Sequence, residues 1–448
     1  MDRREFLTKT AAGATTLLAA SCGDKKTGAS ASSSSVPGEG TMTYRINPNT
    51  GDKVSILGYG CMRWPMKKDE NGRDVVDQEQ VNTLVDYALE HGVNYFDCAP
   101  VYLQGQCEYT TGTALKRHPR ASYYIATKLS NFGDPSQEEA KRMYYNSLEQ
   151  LQTDYIDYYL LHSLNDGTNN FNRRFVDNGM MDFLLEERKA GRVRNLGFSF
   201  HGPQEGFDEL MALHDKYHWD FVQIQLNYSD WRLASGRNTR AEYLYEELHK
   251  RGIPAVIMEP LQGGRLSKVP DNIVARLKAR EPEKSVASWA FRFAGTPEGV
   301  LTALSGMTYM EHLEDNIKSY SPLVPLTDEE CDFLFETAIL MQQYPTIPCN
   351  DCKYCMPCPY GIDIPSVFVY YNKRVNEVTI PTDRENKNYR KLRKSFLDAY
   401  DKAVPALRQA DHCIGCRQCV EHCPQDIDIP RQLRRIDEYV EKLKQNTL

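Results

Sequence analysis

Eight of the chain's 13 cysteines fall in two tight runs whose internal spacing suits a metal centre. The later run is Cys413-x2-Cys416-x2-Cys419-x3-Cys423, followed at once by Pro424. Three thiolates spaced by two residues can wrap one cube, and a proline after the fourth cysteine turns the chain away. That is the 4Fe-4S spacing in full. Zinc would want two separated pairs instead. The earlier run, Cys349-x2-Cys352-x2-Cys355-x2-Cys358-Pro359, is one residue shorter before its last cysteine. Where two clusters share a domain, the fourth cysteine of each run ligates the other cluster, so its offset is the least constrained part of the motif. The spacing therefore predicts two 4Fe-4S clusters. One would be held by Cys349, Cys352, Cys355 and Cys423, the other by Cys413, Cys416, Cys419 and Cys358. Each run leads into a matching segment, Ile362-Asp363-Ile364-Pro365 and Ile427-Asp428-Ile429-Pro430. This repeat suggests a pseudo-twofold pair of loops. The stretch between the runs has helical patterns at Val367–Val375 and Tyr389–Ala403, which points to a mainly α-helical ferredoxin-like domain.

A second set of chemistry-bearing residues lies upstream. Asp97, Tyr102, Lys128 and His162 each sit at the end of an apolar run or just after one. Singly, each has an ordinary role: a cap, a packing ring, a surface cation, a hydrogen-bonded imidazole. On the ends of successive strands they form a proton-transfer constellation.

The elements that must position them alternate regularly. Strands are expected at Val54–Gly60, Asn94–Asp97, Tyr123–Thr127, Ile156–Leu161, Val193–Ser199, Phe221–Gln225, Ala255–Met258 and Val300–Leu304. Helical patterns such as Gln78–His91, Gln137–Leu151, Arg240–Arg251 and Val286–Phe293 fill the gaps. Such α/β alternation argues for a (β/α)8 TIM barrel, in which catalytic residues gather at the C-terminal strand ends. No G-x-G-x-x-G follows the first strand, which weakens an open doubly wound sheet. A short run at Met42–Ile46 would plug the bottom of the barrel.

The N-terminus reads as an address. Arg3-Arg4 before Glu5-Phe6-Leu7, with the weakly apolar run Ala11–Ala20, forms a twin-arginine export pattern. Leu18-Ala19-Ala20-Ser21-Cys22 resembles a lipobox in which Cys22 would carry lipid; simple cleavage near Ala20 is the alternative. The division expected is a signal peptide over 1–22, a Ser/Gly-rich tether over 23–41, a barrel over 42–325 and a ferredoxin-type domain over 328–448. Localisation would be periplasmic or lipid-anchored in the cell envelope. Apolar residues make up 41% of the chain, charged residues 26%, and the net charge is -7. No basic stripe signals nucleic acid. Beyond the N-terminus no run approaches the roughly 20 apolar residues needed to cross a bilayer.

Asn94-Tyr95-Phe96-Asp97-Cys98-Ala99-Pro100-Val101-Tyr102, Ala126-Thr127-Lys128 and Leu160-Leu161-His162 resemble the aldo-keto reductase family over most of Thr41–Pro325. The appended cysteine runs are similar to its iron–sulfur subgroup. The resemblance implies a tetrad of Asp97, Tyr102, Lys128 and His162. Tyr102 would be the general acid in reduction and the base in oxidation, with Lys128, held by Asp97, lowering its pKa, and His162 orienting the carbonyl. It also implies an extended nicotinamide cofactor, NADH or NADPH. Ser199 and Gln223 would meet its carboxamide, Leu261 and Gly263-Gly264 its pyrophosphate, and Asp315-Asn316 its adenine. Two positions depart from the family. Met258-Glu259-Pro260 stands where an aromatic often stacks on the nicotinamide, and Gly306 and His312 replace the usual 2′-phosphate clamp. Arg63, Trp64 and Trp231 are expected at the pocket mouth, or else in packing or at the surface. Cys98 and Cys107, near the tetrad, are expected as buried small residues, and Cys61 and Cys331 carry no functional expectation.

The function expected is an oxidoreductase that interconverts a carbonyl and an alcohol on a small molecule, with two clusters relaying electrons to or from a redox partner protein. The rival is a non-catalytic electron-transfer or redox-sensing protein that uses the barrel as a docking platform. Hydride moves two electrons together and a cluster moves one. A flavin from a partner, structural clusters or an unusual cofactor would each resolve that mismatch.

Overall fold

The computed structural model describes residues 40–133, 135–234 and 238–448. The twin-arginine pattern, Cys22 and nearly all of the Ser/Gly-rich stretch lie outside them.

Two short strands, β1 (Tyr44–Ile46) and β2 (Lys53–Ser55), pair antiparallel. β3 (Leu57–Gly60) follows directly, so the single strand expected over Val54–Gly60 is split at Ile56. A surface hairpin comprises β4 (Met66–Lys68) and β5 (Asp74–Val76). The remaining strands are β6 (Tyr95–Asp97), β7 (Tyr124–Leu129), β8 (Ile156–Leu164), β9 (Val193–Phe200), β10 (Phe221–Gln225), β11 (Ala255–Met258) and β12 (Val300–Ser305). β3 and β6–β12 form one closed barrel in chain order, with parallel pairing throughout and β12 closing onto β3. This is the (β/α)8 barrel that the alternation of apolar runs called for. Buried on both faces, its strands read as near-continuous apolar runs.

The hairpin β1–β2 does plug the barrel floor. Val54 is buried with Tyr95, Tyr158, Phe221, Val256 and Leu301 in a small apolar cluster. Asn47 in the hairpin turn donates to the Tyr158 hydroxyl at 3.1 Å. The main core lies between the strands and the helical ring. Local signals set the helix starts. Ser136 and Glu139 form a capping box at helix Gln137–Leu151, and Thr327 and Glu330 form another at helix Asp328–Met341. Such caps contribute about 1 kcal/mol each. Helix Asp328–Met341 packs on the barrel, with Phe333 against Trp289 and Arg276 paired to Glu336.

A second core joins helices Ile364–Asn376, Tyr389–Ala403 and Ile429–Gln445. The repeated Ile-Asp-Ile-Pro segments start the first and last of these. Asp363 accepts from the Ser366 amide and Asp428 from the Arg431 amide, and a proline occupies the first turn of each helix. Among the described residues, no helix is long and apolar enough to cross a membrane.

Candidate active site and cluster loops

The four tetrad candidates come together at the C-terminal mouth of the barrel. Asp97 ends β6, Lys128 lies near the end of β7, His162 sits on β8, and Tyr102 opens a short turn after β6. Asp97, Tyr102, Lys128 and His162 are 3%, 8%, 1% and 4% exposed, so bulk water has little access to their side chains. Lys128 Nζ donates to Asp97 Oδ1 at 2.6 Å and to the Cys98 carbonyl at 2.7 Å. The same ammonium lies 5.0 Å from the centre of the Tyr102 ring. His162 meets that ring edge-on, centroids 6.0 Å apart.

Burial sets the acid–base character. It raises Asp97 to about 6 despite the opposing pull of Lys128. His162 is held well below its ordinary value by burial and by the nearby Lys128, Arg174 and His201 charges, so its imidazole is neutral. Tyr102 departs from expectation. Burial, followed by the Asp97 charge, pushes its phenol well above 10, and only a hydrogen bond from Tyr354 opposes them. The side chain is thus poised to give a proton rather than to stand as tyrosinate.

Several supports were not read from sequence. Ser130 Oγ engages His162 Nδ1 at 2.6 Å. Arg174 is buried beneath the β8 loop and donates to the carbonyls of His162 (2.7 Å), Ser163 (3.0 Å) and Asn131 (3.0 Å). Glu108, raised to about 7 mainly by burial, accepts from Thr127 Oγ1 behind the site. Cys98 and Cys107 are buried, as their type suggested, and so are Cys61 and Cys331.

The nucleotide candidates divide. Ser199 and Gln223 are register partners on β9 and β10. Ser199 Oγ accepts from the Ser163 amide at 2.8 Å, whereas the buried Gln223 Oε1 has no partner and fits a carboxamide or hydroxyl donor. Asp315 accepts from Ser285 at 2.6 Å and Asn316 donates to Ser305 at 3.0 Å, so both brace the barrel's own helices and strands. Leu261 and Gly263-Gly264 form the turn after β11, and that turn touches the cluster domain. Trp64 and Trp231 are core residues, the former bonded to Thr111 at 2.9 Å and the latter packed on Phe293. Arg63 alone of the three stands at the rim.

The cysteine loops are wound alike. In each, the second and fourth residues after the first cysteine have left-handed backbones: Asp351 and Lys353 in one, Gly415 and Arg417 in the other. Cys349, Cys352 and Cys355 each lie beside Cys423, while Cys419 lies beside Cys413, Cys416 and Cys358. Burial and then crowding by like groups raise Cys349 and Cys419 to about 11 and Cys352 to about 12. A bound cation removes that cost, because a coordinating thiol is deprotonated outright. Both quartets have the donor chemistry of an iron–sulfur cluster. Among the described residues, no group of three His, Cys, Asp or Glu side chains is arranged to hold a single metal ion.

The cluster domain sits on the barrel mouth. Gln425 donates to Gln225 at the end of β10 (3.0 Å), and Asn238 donates to the Pro424 carbonyl (3.0 Å). Tyr354, between Cys352 and Cys355, lies edge-on to His162 at 6.5 Å, near enough to Tyr102 to lower the pKa of its phenol.

Comparison with known proteins agrees with this architecture. Residues 56–336 match the aldo/keto reductase family, and residues 348–427 match the 4Fe-4S dicluster domain. An uncharacterized oxidoreductase, YqkF, of Bacillus subtilis (strain 168) is 25% identical over 307 residues, 62% of this chain and 90% of that protein. L-galactose dehydrogenase of Arabidopsis thaliana is 24% identical over 305 residues, 64% of this chain and 90% of that enzyme. The holo form of aldo-keto reductase AKR11C1 from Bacillus halodurans superposes with a TM-score of 0.54 at 25% identity, covering 66% of this chain and 96% of that one. With well over half of its 448 residues matched and the barrel closed as described, the chain belongs to the aldo/keto reductase family of oxidoreductases, carrying a 4Fe-4S dicluster domain behind its barrel.

Proposed function

We propose that the protein interconverts a carbonyl and an alcohol on a small molecule at Asp97, Tyr102, Lys128 and His162. One observation carries this reading: the Tyr102 ring meets His162 over the Lys128–Asp97 pair, directly beneath the cluster loop. In reduction, Tyr102 Oη gives its proton to the oxygen of the forming alcohol. His162 has Nδ1 engaged by Ser130, which leaves Nε2 to meet that oxygen. Lys128 places positive charge below the phenol and steadies the charge that develops as the proton leaves. Gln223 Oε1 is available to fix a donor group of the substrate. When bound, two 4Fe-4S clusters would supply or accept two electrons, one each, and the second proton, the one that reduction places on carbon, would come from solvent. The proposed ligands are Cys349, Cys352, Cys355 and Cys423 for one, and Cys413, Cys416, Cys419 and Cys358 for the other. A redox partner protein would exchange electrons with them, and the Arg3-Arg4 pattern supports export to the cell envelope.

The test is Tyr102→Phe in the anaerobically purified protein, assayed with a panel of small carbonyls under reduced electron donors. Loss of about 100- to 10,000-fold in kcat with unchanged iron content is expected. Full turnover by the variant would rule the tetrad mechanism out. A second reading, electron transfer or sensing without catalysis, is favoured by the Tyr354 phenol resting on Tyr102. Wild-type protein with intact clusters that turns over nothing in the panel would support it.

A further inference from the structure

We propose that the loop bearing Cys349–Cys355 occupies the part of the barrel rim along which an extended nicotinamide nucleotide would lie, so that the folded chain takes up neither NADH nor NADPH.

The rim segment in question follows β11, β12 and β3, three neighbouring strands of the barrel. Asn350, itself buried, spans it. Its Nδ2 donates to Glu259 Oε1 just after β11 at 2.8 Å. Its carbonyl accepts from Arg63, in the turn after β3, at 2.6 Å. Between those anchors, the Arg63 stem lies on Gly306 after β12, only 3.0 Å from where a side-chain carbon there would stand. Arg63 is further tied to Asp351 by an ion pair of 3.6 Å. The rim's cationic side chain is thus committed to the cluster loop rather than turned toward a phosphate.

Gly263 marks how close the contact is. A carbon added to it would lie 2.3 Å from the Asn350 carbonyl oxygen and 2.7 Å from its Cα. Carbon atoms in contact stand about 3.5–4.0 Å apart, so nothing of molecular thickness fits between this turn and the loop. Glu259 adds a carboxylate whose second oxygen is buried without a partner. At the far end of the same groove, Tyr354 rests on Tyr102 and His162. One seven-residue loop therefore reaches both the β11 turn and the tetrad. This inference does not depend on the carbonyl chemistry above.

The experiment uses the full chain with its clusters, titrated anaerobically with NADPH and, separately, NADH. Nucleotide fluorescence reports binding and the visible cluster absorbance reports reduction. Wild type is expected to give neither saturable binding nor bleaching. Arg63→Ala/Asn350→Ala, which frees both anchors, is expected to gain affinity on the order of 10- to 100-fold while retaining its cluster absorbance. Arg63→Ala alone serves if the double variant loses its clusters. Saturable micromolar binding by wild type would overturn the proposal while leaving the tetrad reading to its own test. A freed variant that keeps its clusters yet binds no better than wild type would equally overturn it.

Discussion

The ring of Tyr354, a residue between two cluster cysteines, lies edge-on to that of His162 at the barrel mouth, centroids 6.5 Å apart. Its hydroxyl is the influence that opposes burial and the Asp97 charge in setting the acidity of Tyr102. Tyr354→Phe removes it and leaves the ring packing in place. Alcohol oxidation needs the tyrosinate, so its rate should climb with pH at alkaline values. In the variant that limb should move to higher pH. Carbonyl reduction uses the protonated phenol and should be unchanged near neutral pH. Paired pH–rate profiles in the two directions check this, and superimposable alkaline limbs would count against that influence.

Asp97 governs the acid side. Its carboxyl is raised to about 6, above its ordinary 3.8, because burial outweighs the attraction of Lys128. Protonation through about pH 6 dissolves the ion pair, so kcat/KM for reduction should fall as pH drops through that value. The stability effect has the opposite sign. Between 3.8 and about 6 the folded state binds more protons than the unfolded, so this group's contribution to stability falls as pH rises and is level above. Asp97→Asn mimics the protonated carboxyl. The acid limb of kcat/KM should vanish, and the fall in stability between pH 3.8 and about 6 should flatten, as read from pH–rate profiles and thermal melts across pH.

Arg174 should prove as important to His162 as the tetrad itself. Its guanidinium holds three backbone carbonyls of the segments that carry Asn131, His162 and Ser163. Arg174→Met deprives these buried acceptors of donors, at a cost of about 1–3 kcal/mol each if nothing replaces them. Arg174→Lys should not rescue it, because one ammonium cannot reproduce the planar fork. Melting temperature and kcat are expected to fall together in both variants, with iron content constant.

Much of this architecture was legible in the chain and some was not, for identifiable reasons. Barrel strands such as Phe221–Gln225 and Ala255–Met258 stand out as apolar runs because both faces are buried. Asp97, Lys128 and His162 were readable as polar residues at the ends of such runs. Tyr354, Asn350 and Ser130 were not, since each becomes part of the mouth only when distant segments meet. Trp64 and Trp231 were left between two roles because a large aromatic near a strand end suits a pocket wall and a core equally well. The direction of Tyr102's acidity was missed for a related reason: the charge partner is visible in sequence, but the depth of burial that outweighs it is not.

The crossed ligation proposed for the clusters makes a prediction that counting iron can decide. Cys423 neighbours Cys349, Cys352 and Cys355, although it closes the later run, and Cys358 neighbours Cys419 although it closes the earlier one. If these quartets each hold a cube, replacing one member weakens one cluster and spares the other. Cys349→Ser, Cys413→Ser and Cys423→Ser should each lose up to about four irons, one cube's content. The double variants separate the connectivities. Cys349→Ser/Cys423→Ser strikes one quartet twice and should lose little more iron than either single change. Cys413→Ser/Cys423→Ser strikes both and should lose nearly all of it. Uncrossed runs would reverse that pattern, because Cys413 and Cys423 would then share a cube. Iron analysis and electron paramagnetic resonance of the reduced proteins distinguish the two outcomes. The crossed arrangement also bears on electron flow. Cys355, next to Tyr354 in the chain, lies near Cys419 of the other proposed quartet, so clusters held there would be neighbours. A variant stripped of the Cys413 quartet alone should therefore retain the cluster nearest Tyr102 yet lose exchange with an external one-electron donor.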